Sequence, residues 1–170
     1  TSSRTRYEGA TIRNIYAGFG SAMGVLAVDL MSDGFTAERD GISTVFGAIA
    51  GVYFDVEKCL EEIGKRWEIS HSYYKRYACS RHIHPALDGL AALMKKHDFT
   101  ADDVGRIEVL TYAMAASLNN SAPKNSLAAR FSIPYALASY LIMREGGITA
   151  YSEKALVDSR IKGLAARVAV

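Results

Sequence analysis

Tyr74-Lys75-Arg76-Tyr77-Ala78-Cys79-Ser80-Arg81-His82-Ile83-His84-Pro85-Ala86-Leu87-Asp88-Gly89 gathers three cations, two histidines and a thiol, then turns directly into a helix. Pro85 has a pre-set φ and no N–H to satisfy, which suits a first helical turn. After it, Leu87, Leu90, Ala91 and Met94 recur at helical spacing, so the segment predicts a helix over 85–97. Lys75, Arg76, Arg81 and His84 are then delivered near a helix N-terminus, where free N–H groups and the macrodipole favour anions. Carboxylate or phosphate binding is the chemistry this suggests. The aromatic residues Tyr73, Tyr74 and Tyr77 argue for partial burial of the cations, and a partly buried cation requires an anionic partner.

Working outward, Trp67–Tyr74 reads as a strand from its aromatic content. Beyond the helix, Thr100 and Asp103 form a capping-box pattern. Arg106–Tyr112 (RIEVLTY) predicts a second strand, with Ile107, Val109 and Thr111 on one face. A loop through Asn119–Pro123 leads to a helix over 131–144, stopped by Gly146-Gly147. A shorter helix over 152–162 follows, and a strand closes at 166–170. The order is β-α-β-α-α-β, an α+β unit.

Toward the N-terminus, residues 11–32 predict an apolar helix stopped by Asp33-Gly34. Thr36 is expected to cap a second helix over 37–50. Asp55 is expected to cap a third, with Val56, Leu60 and Ile63 as its buried stripe. The run Ile15–Met31 is nearly long enough to span a bilayer. It contains Asp29 and is rich in Gly and Ala, which favours a buried helix. Such a helix needs neighbours on every side, and residues 1–66 are too few to supply them. The start, Thr1-Ser2-Ser3-Arg4-Thr5-Arg6, is polar and lacks the apolar run of a secretory signal. The first residue is not Met, so the chain is expected to be a piece of a longer protein.

Composition sets the remaining bounds. A chain of 170 residues with 49% hydrophobic and 22% charged content is that of an ordinary globular domain. A net charge of +2 gives no reason to expect nucleic-acid binding. Two cysteines, Cys59 and Cys79, suit a reducing, cytoplasmic setting. Gly18-x-Gly20-x-x-x-Gly24 lacks the strand that a dinucleotide fingerprint needs and is better explained by helix packing. Cys79, His82 and His84, even with Cys59, His71 and His97, show no metal-ligand spacing; no metal or cofactor is expected.

Three segments resemble the MmgE/PrpD family. Ile12-Arg13-Asn14-Ile15-Tyr16-Ala17-Gly18, with Gly24-Val25-Leu26-Ala27-Val28 and Gly34-Phe35-Thr36, resembles its glycine-rich helix pair. Tyr74–Asp88 resembles its K-P-Y-P-C-C-R-x-I-H-P-A-I-D signature. Arg130-Phe131-Ser132-Ile133-Pro134-Tyr135-Ala136-Leu137-Ala138 resembles its F-S-L-P-Y-A-V-A signature. The family contains 2-methylcitrate dehydratase, cis-aconitate decarboxylase and iminodisuccinate epimerase. The resemblance implies a homodimer whose large all-helical domain meets a small α/β lid at the active site. Residues 1–66 would end the helical domain and 67–170 form the lid.

The resemblance also implies roles. Tyr135, Lys75 and His84 form the catalytic set, with His84 better suited to orienting the loop. Arg13, Lys75, Ser80 and Arg81 bind substrate. Arg13 falls where many members have lysine, so charge is kept but a point charge becomes a planar fork. Tyr16 falls where members often have histidine. Ser80 replaces the histidine of the decarboxylases, which disfavours decarboxylation. The expected function is metal-independent dehydration of a 2-methylcitrate-like di- or tricarboxylate. An epimerase, a decarboxylase and a non-catalytic carboxylate-binding or assembly module are the alternatives. Neither nucleic acid nor membrane is an expected partner.

Overall fold

Residues 133–143 carry apolar side chains at almost every position, so a helix there has no face for water and belongs at a centre. The computed structural model, which describes residues 4–170, shows Ile133–Met143 as that helix. Thr1, Ser2 and Ser3 of the polar start lie outside the described residues. The Ser132 hydroxyl accepts from the Tyr135 N–H at 3.0 Å and caps the helix, and Pro134 occupies its first turn. The stop comes before the glycine pair. Arg144 adopts a left-handed conformation, and its N–H donates to the Tyr140 carbonyl.

Two helices pack against this centre, His84–Lys96 and Ser159–Ala165. The first has the expected span and buries Leu87 and Leu90. The single helix expected over 152–162 is instead two, Glu153–Val157 and Ser159–Ala165. The cause is a second cap: Ser152 accepts from the Ala155 N–H and Asp158 from the Arg160 N–H, so Asp158 starts a new helix. The Thr100–Asp103 capping box forms as expected, around a 3-10 turn.

The expected β-α-β-α-α-β order and α/β lid are overturned. The described residues are mainly helical, with two two-residue strands, Ile107–Glu108 and Val168–Ala169. They pair in parallel with Ile107 opposite Val168. Beyond Val109, whose N–H reaches the Ala169 carbonyl, Arg106–Tyr112 has no further strand partner among the described residues and Leu110 is 91% exposed. Ile107 and Val109 do share the face that packs on the core. Trp67–Tyr74 is not a strand but holds a 3-10 turn, Glu68–His71. There the Ser70 hydroxyl and N–H both donate to the Trp67 carbonyl, and local serine bonds of this kind curl a chain that has no neighbouring strand.

The chain divides into two compact units. One comprises Ala17–Tyr74; the other joins the chain up to Tyr16 with Lys75–Val170 and contains every buried hydrophobic residue described above. The Ala17–Tyr74 unit holds all but the first residue of the helix Tyr16–Ser32, which ends at Asp33-Gly34, with Gly34 at φ 92°. By length and composition alone, Thr11–Ser32 is long and apolar enough to cross a bilayer. Thr36 does not cap a helix over 37–50. The turn dipeptide Asp40-Gly41 delays the start, and a short helix, Gly41–Thr44, gives way to a π turn, Val45–Ile49. Asp55 does cap Val56–Leu60, accepting from the Lys58 N–H at 3.0 Å. Its expected buried stripe is exposed, because Val56, Leu60 and Ile63 meet no core within this unit.

Candidate active site

The segment after Lys75 is laid down by backbone bonds to two distant loops. The Ala78 N–H donates to the Gly146 carbonyl at 2.9 Å and the Ser80 N–H to the Arg130 carbonyl at 2.8 Å. Tyr77 is the anchor. Its ring meets His84 and Tyr140 edge-on, with centroids 5.1 and 5.9 Å away, and its hydroxyl donates to Asp88 Oδ1 at 2.7 Å. Burial, aided by the Asp88 carboxylate, pushes the phenol up to about 12. Gly146 makes room for the ring, since a Cβ there would lie 2.5 Å from a Tyr77 ring carbon. Cys79 points inward at 3% exposure, and burial raises its thiol, the opposite of what a reactive thiolate needs.

A second segment reaches the same place from the N-terminal side. The Asn125 side chain donates from Nδ2 to the Gly9 carbonyl at 3.1 Å, while its Oδ1 accepts from the Ala128 N–H at 2.9 Å. The Tyr7 hydroxyl pairs with the Ser117 hydroxyl at 3.1 Å. These ties hold the Thr11–Ile15 turn so that the Arg13 guanidinium lies 5.6 Å from the centroid of the Phe131 ring, a cation–π contact.

Between these segments lies a cavity of about 400 Å³, within the usual range for small-molecule sites. Arg13 and Asn14 line one side. Lys75, Ala78, Cys79 and Ser80 line a second, and Leu127, Arg130 and Phe131 complete it. Three cations face the space and, among the described residues, no carboxylate does. The MmgE/PrpD C-terminal domain matches residues 77–170, more than half of the chain. The chain belongs to the MmgE/PrpD family. Members of this family are generally lyases. Comparison with curated proteins finds no match.

Within the MmgE/PrpD span lie Ser80, Arg81, His84 and Tyr135, whereas Arg13 and Lys75 precede it. Of the residues singled out from sequence, the cavity brings together Arg13, Lys75 and Ser80. Tyr135 stands elsewhere. It is buried, its hydroxyl donates to the Ala150 carbonyl at 2.9 Å, and burial pushes its phenol up to about 12. It borders a different cavity of about 350 Å³, beside Pro123 and Lys162. Arg81 is exposed at the start of the Arg81–Ile83 turn and does not line the 400 Å³ cavity. No residue of the His84–Lys96 helix lines it either, so side chains rather than a helix start supply the positive field. His82 pairs with the Tyr112 hydroxyl instead. Sequence reasoning missed Asn14 and Arg130. Both sit inside the quoted motifs, and the formal charge of Arg130 was the only signal available.

His84 stands behind Tyr77, with its Nε2 buried and unpaired among the described residues. Burial, then the Lys75 charge, lowers its pKa below the ordinary histidine value, which favours the neutral ring. The unfolded chain therefore binds more protons as pH drops, and His84 contributes stability that is present above about pH 6.5 and lost on acidification through its folded pKa. Thermal melts of wild type between neutral pH and about pH 5 are expected to show this loss, and His84→Asn is expected to flatten it. Equal acid sensitivity in both proteins would contradict the assignment.

Proposed function

We propose that this MmgE/PrpD chain contributes the carboxylate-binding wall of a lyase that dehydrates a 2-methylcitrate-like di- or tricarboxylate without a metal ion. The observation that carries the reading is the 400 Å³ cavity, in which cations brought together from three segments face no carboxylate among the described residues. Arg13 and Lys75 bind substrate carboxylates, Arg13 through paired N–H donors and Lys75 as a point charge. Ser80 adds a hydroxyl that can donate or accept. Neutralising a carboxylate acidifies the adjacent C–H, because the charge that develops on proton removal spreads onto oxygens already held by cations. A general base outside this carboxylate-binding wall takes the C–H proton, the electron pair left behind forms the C=C bond, and the β-hydroxyl departs with a proton as water. In this reading Tyr135 and His84 hold the framework in place, Tyr135 through Ala150 and His84 through Tyr77.

The same reading carries a cytoplasmic homodimer with a small-molecule substrate and no nucleic-acid or membrane partner. The net charge of +2 and the free thiols of Cys59 and Cys79 support its cytoplasmic, small-molecule part. The test is turnover of 2-methylcitrate and related hydroxy acids by the full-length protein. Dehydration is expected to appear as rising ultraviolet absorbance from the new C=C bond. Exchange of an α-hydrogen in deuterated water without absorbance would replace the lyase with an epimerase. The absence of both signals would remove the catalytic reading.

A further inference from the structure

We infer that Arg130 is a third anion-binding side chain of this cavity, and that it selects three-carboxylate over two-carboxylate occupants; this rests on the carboxylate reading above. Arg130 follows the short helix Ser126–Ala129, and its carbonyl accepts the Ser80 N–H at 2.8 Å. One residue thus fixes the Lys75–Ser80 segment with its main chain while its side chain lines the cavity that this segment borders. Its Nε is buried and has no hydrogen-bond partner among the described residues. A guanidinium remains charged at any physiological pH, and a buried unmade hydrogen bond to a charged group is costly. Among the described residues no carboxylate pairs with it. Tyr151, which feels the Arg130 charge, is pushed strongly toward its neutral form by burial. Cys79 is also raised by burial. The ion pairs among the described residues join Arg4 to Glu8, Arg66 to Glu68 and Arg76 to Asp88, none of which is at this cavity.

The neighbouring Phe131 carries the Arg13 guanidinium on its ring, so the Arg13 and Arg130 sides of the cavity adjoin, with Lys75 on the remaining side. Three fixed positive charges are neutralised by three carboxylates. A two-carboxylate occupant leaves one cation unmatched, and Arg130, with its unpaired buried Nε, is the one that gains most from the third.

Calorimetric titration of the full-length protein with tricarballylate and with glutarate, neither of which has a hydroxyl to eliminate, tests this. Arg130→Gln is expected to weaken tricarballylate by roughly tenfold or more and glutarate by less than about threefold. Unchanged tricarballylate affinity, or equal losses for both ligands, overturns the role of Arg130 while wild-type binding leaves the carboxylate reading standing. A wild type that binds neither acid overturns both. Should Arg130→Gln fail to fold, phenylglyoxal modification of wild-type Arg130, followed by mass spectrometry, takes its place. Protection by tricarballylate and not by glutarate is expected, and absence of protection overturns the inference.

Discussion

Gly9→Ala is expected to destabilise the protein by about 2–4 kcal/mol and to weaken carboxylate binding together with stability. Gly9 is buried with φ 69°, a left-handed conformation that a Cβ disfavours. The added carbon would fall 2.1 Å from Asn125 Oδ1. Asn125 cannot simply swing aside, because its two polar atoms hold the Gly9 carbonyl and cap the Ser126–Ala129 helix. Moving it loosens the turn that presents Arg13 and the helix that leads into Arg130, so one methyl disturbs two sides of the cavity. Gly163→Ala is the control. It lies inside the Ser159–Ala165 helix with open space around its would-be Cβ, and is expected to be neutral or stabilising by about 0.5–1 kcal/mol. Chemical denaturation of both variants checks the contrast; equal stabilities would contradict the packing described for Asn125.

Lys75→Ala is expected to behave in the opposite way, leaving the melting temperature unchanged while lowering affinity for di- and tricarboxylates by roughly ten- to a hundredfold. Lys75 is exposed and makes no ion pair among the described residues, so the fold has little to lose with it. A bound carboxylate would lose a charge-assisted hydrogen bond. The substitution also has an internal check. The Lys75 charge is the second cause of the depressed His84 pKa, so the His84 ring is expected to titrate at higher pH in Lys75→Ala, followed by NMR. Unchanged affinity together with an unchanged His84 titration would remove Lys75 from the site.

What the sequence disclosed depended on how local each signal was. The helices with an internal cause were legible. Pro85 and the Leu87–Leu90 stripe set the His84–Lys96 helix, Asp55 capped Val56–Leu60, and the helix expected over 131–144 forms as Ile133–Met143. Strands depend on partners, which local composition does not reveal. Trp67–Tyr74 has aromatic content suited to a sheet but no neighbouring strand, and its serines bond to their own backbone. Arg106–Tyr112 has the right alternation, yet finds a partner for only two residues.

The cavity followed the same rule. Arg13, Lys75 and Ser80 come together as a set because the loop and turn that carry them are tied to common neighbours. Tyr135 lay in a recognisable motif, but the motif could not say which carbonyl its hydroxyl would reach; that carbonyl is Ala150, away from the cavity. Arg130 went unassigned because its importance comes from a buried, unpaired Nε, a property of the folded chain alone.

A crystal structure of the full-length protein with tricarballylate bound tests carboxylate binding in this cavity directly. The acid is expected in the cavity between Arg13, Lys75 and Ser80, with carboxylate oxygens about 2.7–3.0 Å from Lys75 Nζ and from the Arg13 guanidinium. Tricarballylate bound elsewhere, with this cavity unchanged at saturating ligand, would contradict it.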